Sequence, residues 1–182
     1  MKRIAVLFAE GFEEVEAVTA VDFLRRAGLV VSMVGVTGKE VTGSHGITVT
    51  TDLEAVETEP GYDAVVIPGG MPGAKNIADS ESARALVSSV SRAGGLVAAI
   101  CAAPAVVLSP WGLLEGKEAT CYPGYEKELR NASFSDKRVV VDGNLITSRG
   151  PGTAAEFAEA VIAYLVGKEE AEKLHKTTLQ HA

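Results

Sequence analysis

Short, largely apolar runs recur along the chain, at residues 3–8, 29–36, 63–67 and 95–100. Runs of this length predict strands buried on both faces. Between them the apolar positions fall at helical spacing. Over Glu13–Ala27, residues Ala17, Ala20, Val21 and Leu24 stand at i, i+3, i+4 and i+7, which makes one apolar stripe, and Gly28 closes the helix. Ser80 caps a second helix running to about Ala93, with Ala83, Leu86, Val87 and Val90 inward. Residues 105–114 predict a third helix ending near Gly116. The Gly-, Thr- and Val-rich segment 37–51 reads as a small hairpin, 117–121 as a short strand, and 122–131 as a loop with a helical turn. Val139–Val141 and Leu145–Thr147 flank an Asp-Gly turn and form a hairpin. Thr153 with Glu156 three residues on makes a capping box for a helix to about Val166; past Gly167 a polar helix reaches about Lys176.

Strands alternating with helices predict an α/β sandwich with a mainly parallel sheet. No repeat or long linker divides the 182 residues, so one domain spans 1–182. A net charge of −7 argues against a nucleic-acid surface and against an anionic membrane surface. No run approaches the roughly 18 apolar residues of a membrane span, and the apolar start is too short for a signal peptide. Two cysteines without CxxC spacing make no disulfide framework, so a reducing cytoplasm is expected.

Ligands in such folds gather beyond the carboxyl ends of the strands. Three segments follow strand ends here: 9–16, 68–73 and 101–104. The last begins at Cys101, where an apolar strand turns into Ala102-Ala103-Pro104 and a helix-like stretch. That is the layout of a nucleophile elbow, and a helix N-terminus beside the sulfur would favour the thiolate. Glu16, near the end of the first strand, could take or share the thiol's proton. Equally, four acidic residues at one helix start suit the helix dipole without any catalytic role. Gly69 and Gly70 could offer backbone amides to a developing oxyanion, or simply permit a tight turn. Neither a dinucleotide fingerprint nor a P-loop is present. Of the histidines, His45 lies in the hairpin segment and could approach the pocket; His175 and His181 fall in a polar tail and are expected to be solvated. No histidine has metal-ligand spacing with a cysteine, so no metal is expected. Cys121 reads as a structural thiol and Trp111 as packing.

Four motifs together resemble the ThiJ/PfpI superfamily: Ala9–Glu16, Val66–Gly70, Ala98–Pro104 and Thr147–Thr153. The likeness runs in register along nearly the whole chain and is greatest to the branch holding the human protein linked to Parkinson's disease and the bacterial ThiJ-like proteins. It implies a flavodoxin-like three-layer sandwich and a homodimer. It also implies a reactive cysteine at Cys101, a carboxylic acid bonded to it at Glu16, and backbone amides of Gly69, Gly70 and Ala102 around a substrate oxygen. Tyr122, His45 and Arg149 are further pocket candidates. Members are described as cofactor-free glyoxalases acting on methylglyoxal, as deglycases acting on early glycation adducts of proteins, and as redox-dependent chaperones.

Some positions depart from the family. Ala103 stands where glycine is common and could narrow the elbow. Tyr122 replaces a histidine found in some members, which removes an imidazole base. Ala102 replaces the histidine of protease-like members, which argues against peptidase activity. The expected function is therefore a cysteine-dependent, cofactor-free glyoxalase or deglycase. The alternative is a redox sensor or oxidation-triggered chaperone based on sulfinic oxidation of Cys101.

Overall fold

A computed structural model describes residues 1–180; His181 lies outside the described residues. The chain folds as β1 (Arg3–Phe8), α1 (Glu14–Arg26), β2 (Val30–Gly35), β3 (Glu40–Thr42), β4 (Thr48–Thr50), β5 (Leu53–Glu54) and β6 (Ala64–Ile67). It continues as α2 (Gly73–Ala78), α3 (Glu81–Arg92), β7 (Leu96–Ile100), β8 (Glu118–Ala119), β9 (Ser133–Phe134), β10 (Val139–Asp142), β11 (Leu145–Ser148), α4 (Ala154–Val166) and α5 (Lys168–Thr177). Seven strands form one sheet in the order β10-β11-β7-β6-β1-β2-β5. Only β10 runs antiparallel to its neighbour; the rest pair in parallel. The expected α/β sandwich with a mainly parallel sheet is the observed one.

The apolar runs became the central strands. Every residue of β6 and β7 is buried, as are Ile4 to Phe8 of β1. Helices cover both faces, as a parallel sheet requires. Helix α1 packs on α4 and β2, and its stripe Ala17, Ala20, Val21 and Leu24 is buried. Strands β1, β6 and β7 are adjacent at the centre, so the segments following them converge at one sheet edge. None of the described helices is long and apolar enough to cross a membrane.

The structure departs from the sequence expectations at a few places. The 105–114 helix is a single π-type turn over Pro104–Leu108, followed by turns to Gly116. Pro110 cannot continue the hydrogen-bond ladder, and Gly112 takes a φ of +74°. Helix α2 occupies what reads as the tail of a Gly/Pro turn. The Thr153–Glu156 capping box does not form at the start of α4. Glu156 instead grips the Arg138 guanidinium, at 2.7 and 2.9 Å, and the Thr153 hydroxyl bonds to Gly150 and Ser148. His175 is not free in solvent; its Nδ1 lies 3.0 Å from Glu159 Oε1, which ties α5 to α4.

Candidate active site

The central strand β7 delivers Cys101 to the sheet edge. Its N–H donates to the Ser148 carbonyl at 2.9 Å, and its own carbonyl accepts from Tyr122 N–H at 2.8 Å. Held on both sides, Cys101 adopts φ +66°. A left-handed backbone costs an L-residue about 1 kcal/mol or more, so the surrounding bonds must hold it there. This is the strained strand-to-helix turn of a nucleophile elbow. It sets the side chain against the turn that follows β6. A Cβ on Gly69 would lie 2.6 Å from Cys101 Cβ and 2.9 Å from Cys101 Sγ. Only glycine can occupy that position without displacing the Cys101 side chain.

Glu16 enters from α1. It lies one turn before Ala20 on the buried face of the helix, and is itself 1 % exposed. Its Oε2 accepts the Gly69 N–H at 2.7 Å. Its Oε1 is buried with no hydrogen-bond partner among the described residues. The Cys101 thiol stands beside this carboxyl, and each alters the other's proton affinity.

Burial is the main influence on both groups. It lifts Glu16 from the ordinary 4.5 to about 7, against the opposing pull of Gly69 N–H and the Cys101 side chain. Burial also pushes the Cys101 thiol up, and the facing Glu16 carboxylate adds to it; the N–H groups of Gly70 and Ala102 pull the other way. The sequence-based expectation of a thiol lowered by a helix N-terminus is thus reversed. The helical turn after Cys101 is only five residues long, while the sulfur is nearly enclosed and faces a carboxylate. A carboxyl near 7 changes its protonation across neutral pH, while the thiol beside it keeps its proton.

The other candidates divide. Gly70 and Ala102 N–H groups face the sulfur, as an anion-stabilising pair should. Gly69 N–H is already taken by Glu16, so Gly69 serves by its small size and by orienting the carboxylate. Tyr122 lies beside the elbow through its backbone bond to Cys101, and its ring packs on Gly150. Arg149 stacks over Phe134 at 5.7 Å, and its charge acts on Cys121 rather than Cys101. Cys121 is fully buried, and burial pushes its thiol up to about 11.

His45 does not join the elbow. Its Nδ1 pairs with Glu14 Oε2 at 2.9 Å, and its backbone N–H donates to Glu14 Oε1 at 2.7 Å. Burial alone would push Glu14 up, but the His45 ring and backbone N–H groups outweigh it and hold the carboxyl at about 2. Glu13, Glu14 and His45 bring their polar atoms within 4.8 Å of one another, the one such group among the described residues. Those atoms already satisfy each other and Ser44. Ser148 and Thr153 were not among the site candidates in the sequence, where Thr153 read only as a helix cap, although both fall inside the Thr147–Thr153 motif.

Comparison with known proteins gives the family and the fold. The sequence profile of the DJ-1/PfpI family matches residues 2–164. Protein dj-1beta of Drosophila melanogaster is 42% identical over 98% of this chain and 97% of its own length. DJ-1 homolog B of Arabidopsis thaliana is also 42% identical, over 97% of this chain, but the chain spans only 41% of that longer relative. A deglycase of Pyrococcus abyssi is 36% identical over 82% of this chain and 91% of its own length. The structure of oxidized Toxoplasma gondii DJ-1 superposes with a TM-score of 0.95 at 38% identity, covering 100% of both chains.

Proposed function

The chain belongs to the DJ-1/PfpI family, and we propose that Cys101 and Glu16 make it a cofactor-free enzyme that converts 2-oxoaldehydes such as methylglyoxal, or their early adducts on protein amines, to 2-hydroxy acids. The observation that carries this reading is the buried Glu16 carboxyl, lifted to about 7, standing beside the Cys101 thiol. A general acid–base works best with a pKa near the working pH. The kinship with a named deglycase supports the substrate class.

Cys101 Sγ adds to the aldehyde carbon of the substrate, and the thiol proton passes through Glu16 to the new oxygen. The product is a hemithioacetal, whose oxygen is placed to accept from Gly70 and Ala102 N–H. Glu16 as carboxylate removes the hydrogen on the former aldehyde carbon as a proton. The electron pair left behind forms an enediolate with the neighbouring ketone, whose oxygen takes the proton given up by the hemithioacetal hydroxyl; Glu16 then returns its proton to the former ketone carbon as the C=O re-forms next to sulfur. The result is a thioester. Water cleaves it, releasing the 2-hydroxy acid and restoring the thiol. The sum adds one water and needs no outside oxidant or reductant.

The same site supports a second reading. Oxidized Toxoplasma gondii DJ-1 has this fold, and the free Oε1 of Glu16 could bond an oxygen on an oxidised Cys101 sulfur. In that reading the chain senses peroxide or acts as an oxidation-triggered chaperone. We also propose that it forms a homodimer, as its family membership suggests. Two free cysteines suit a reducing cytoplasm.

The pH dependence of methylglyoxal turnover tests the proposal. Turnover should fall as pH drops through about 7, where Glu16 gains its proton, and Glu16→Gln should abolish it. A flat profile across that range, or an active Glu16→Gln protein, would sink the Glu16 role. Absence of turnover, with mild peroxide adding two oxygens at Cys101 and switching on holdase activity, would favour the sensor.

A further inference from the structure

The elbow's geometry is closed by a ring of contacts reaching well beyond the reacting groups. Cys101 N–H is held by the Ser148 carbonyl, and Cys101 C=O by Tyr122 N–H. The Tyr122 ring in turn rests on Gly150, where a Cβ would lie 3.1 Å from Tyr122 Cδ2. Both supports therefore run into the Ser148–Gly150 segment. Backbone bonds hold that segment, Arg149 N–H to the Arg138 carbonyl at 3.3 Å and Thr153 N–H to the Gly150 carbonyl at 2.8 Å, and the Thr153 side chain adds to them. Thr153 Oγ1 accepts the Gly150 N–H at 3.1 Å, lies 2.8 Å from the Gly150 carbonyl, and is 2.6 Å from Ser148 Oγ. Ser148 Oγ also reaches the Arg138 carbonyl at 2.8 Å.

The two hydroxyl protons can serve two of three contacts at once, Thr153 to the Gly150 carbonyl, Ser148 to the Arg138 carbonyl and the link between the two hydroxyls, so the three are shared within one small network. Thr153 is 5% exposed and Ser148 fully buried, so water cannot readily substitute. A left-handed Cys101 held only by its neighbours relaxes if they loosen. Relaxation would carry the sulfur away from Gly69, from the Glu16 carboxylate it faces and from the Gly70 and Ala102 amides.

We infer that Thr153 is a positioning residue: its hydroxyl fixes the Ser148–Gly150 turn, and through it the left-handed backbone that sets Cys101 against Glu16. The inference deepens the proposed Cys101–Glu16 chemistry, but its readout does not depend on turnover. Thr153→Val keeps the shape and removes the hydroxyl. Thr153→Ser keeps the hydroxyl.

The test is the rate at which iodoacetamide alkylates Cys101 as a function of pH, followed by peptide mass, which separates Cys101 from Cys121. Only the thiolate reacts. A sulfur freed from its buried place beside a carboxylate should alkylate severalfold faster and at lower pH in Thr153→Val. Methylglyoxal kcat should fall in the same protein with KM little changed, and Thr153→Ser should restore both. A purely structural loss would lower folded yield without moving the alkylation profile of the protein that folds. An unchanged profile in folded Thr153→Val overturns the inference.

If Thr153→Val does not fold, Thr153→Ala removes the same hydroxyl with less bulk. Its profile should shift the same way, and no shift overturns the inference. If wild type has no turnover, the proposed function fails while the alkylation comparison still decides the role of Thr153.

Discussion

Replacing Glu16 with glutamine should stabilise the protein at alkaline pH and do so progressively less as pH falls. An ordinary glutamate titrates at 4.5 and Glu16 at about 7. Folding therefore favours the protonated form. Below 4.5 the carboxyl is neutral in both states and costs nothing. As pH rises through 4.5 the unfolded chain ionises first, and stability is lost until the folded group also ionises near 7. At 1.36 kcal/mol per pH unit, the difference between 4.5 and about 7 amounts to about 3 kcal/mol above pH 8. Glu16 is 1% exposed, so solvent screening removes little of this. Glutamine stays neutral throughout and keeps an oxygen for Gly69 N–H. Its amide nitrogen replaces the unpartnered Oε1 and adds a cost that does not change with pH. The reading is therefore the change in the wild-type-to-Glu16→Gln difference between about pH 4 and pH 8, which should approach about 3 kcal/mol. Urea unfolding at both pH values measures it, provided the slope with urea stays constant. A difference that is the same at both pH values would refute the burial argument for Glu16.

Other substitutions probe separate parts of the site. Gly69→Ala forces a Cβ to 2.6 Å from Cys101 Cβ; it should cost about 1–3 kcal/mol in urea unfolding and remove methylglyoxal turnover, whereas normal turnover would show that the turn can move aside. Ala103 has φ −61° and ψ −38°, ordinary helical values, so its Cβ fits without strain. Ala103→Gly should lower stability by about 0.5–1 kcal/mol and leave turnover nearly unchanged; a large gain in turnover would mean that Ala103 does narrow the elbow. The Glu14 carboxyl is held at about 2, so its stabilising effect is complete at neutral pH and lost as pH falls through 4.5 toward 2. Glu14→Gln should therefore destabilise at pH 7 and converge on wild type in acid; equal loss at pH 7 and pH 3 would disprove the role of its charge.

The central strands were legible because β6 and β7 are apolar throughout, which only a doubly covered strand tolerates. The elbow was legible for the same reason: such a run ends abruptly at Cys101. What local sequence could not supply is contact between distant segments. The acidic start of α1 suits a helix dipole whether or not Glu16 is buried. Only the adjacency of β1, β6 and β7 brings Gly69 N–H to its carboxylate and the thiol beside it. The thiol's proton affinity reversed because burial and a carboxylate from another element outweigh a short helical turn. Thr153 and Glu156 have capping-box spacing, yet Arg138, eighteen residues before Glu156, captures the carboxylate. The Ser148–Thr153 fastening was likewise invisible, since its purpose lies in the backbone of Cys101.

Methylglyoxal consumption with lactate detection, in wild type, Cys101→Ser and Cys121→Ser, tests the account most directly. Wild type and Cys121→Ser should both form lactate, since Cys121 is fully buried and its thiol titrates only at about 11. Cys101→Ser should form none. Lactate formed by Cys101→Ser at the wild-type rate would contradict the assignment of Cys101 as the nucleophile.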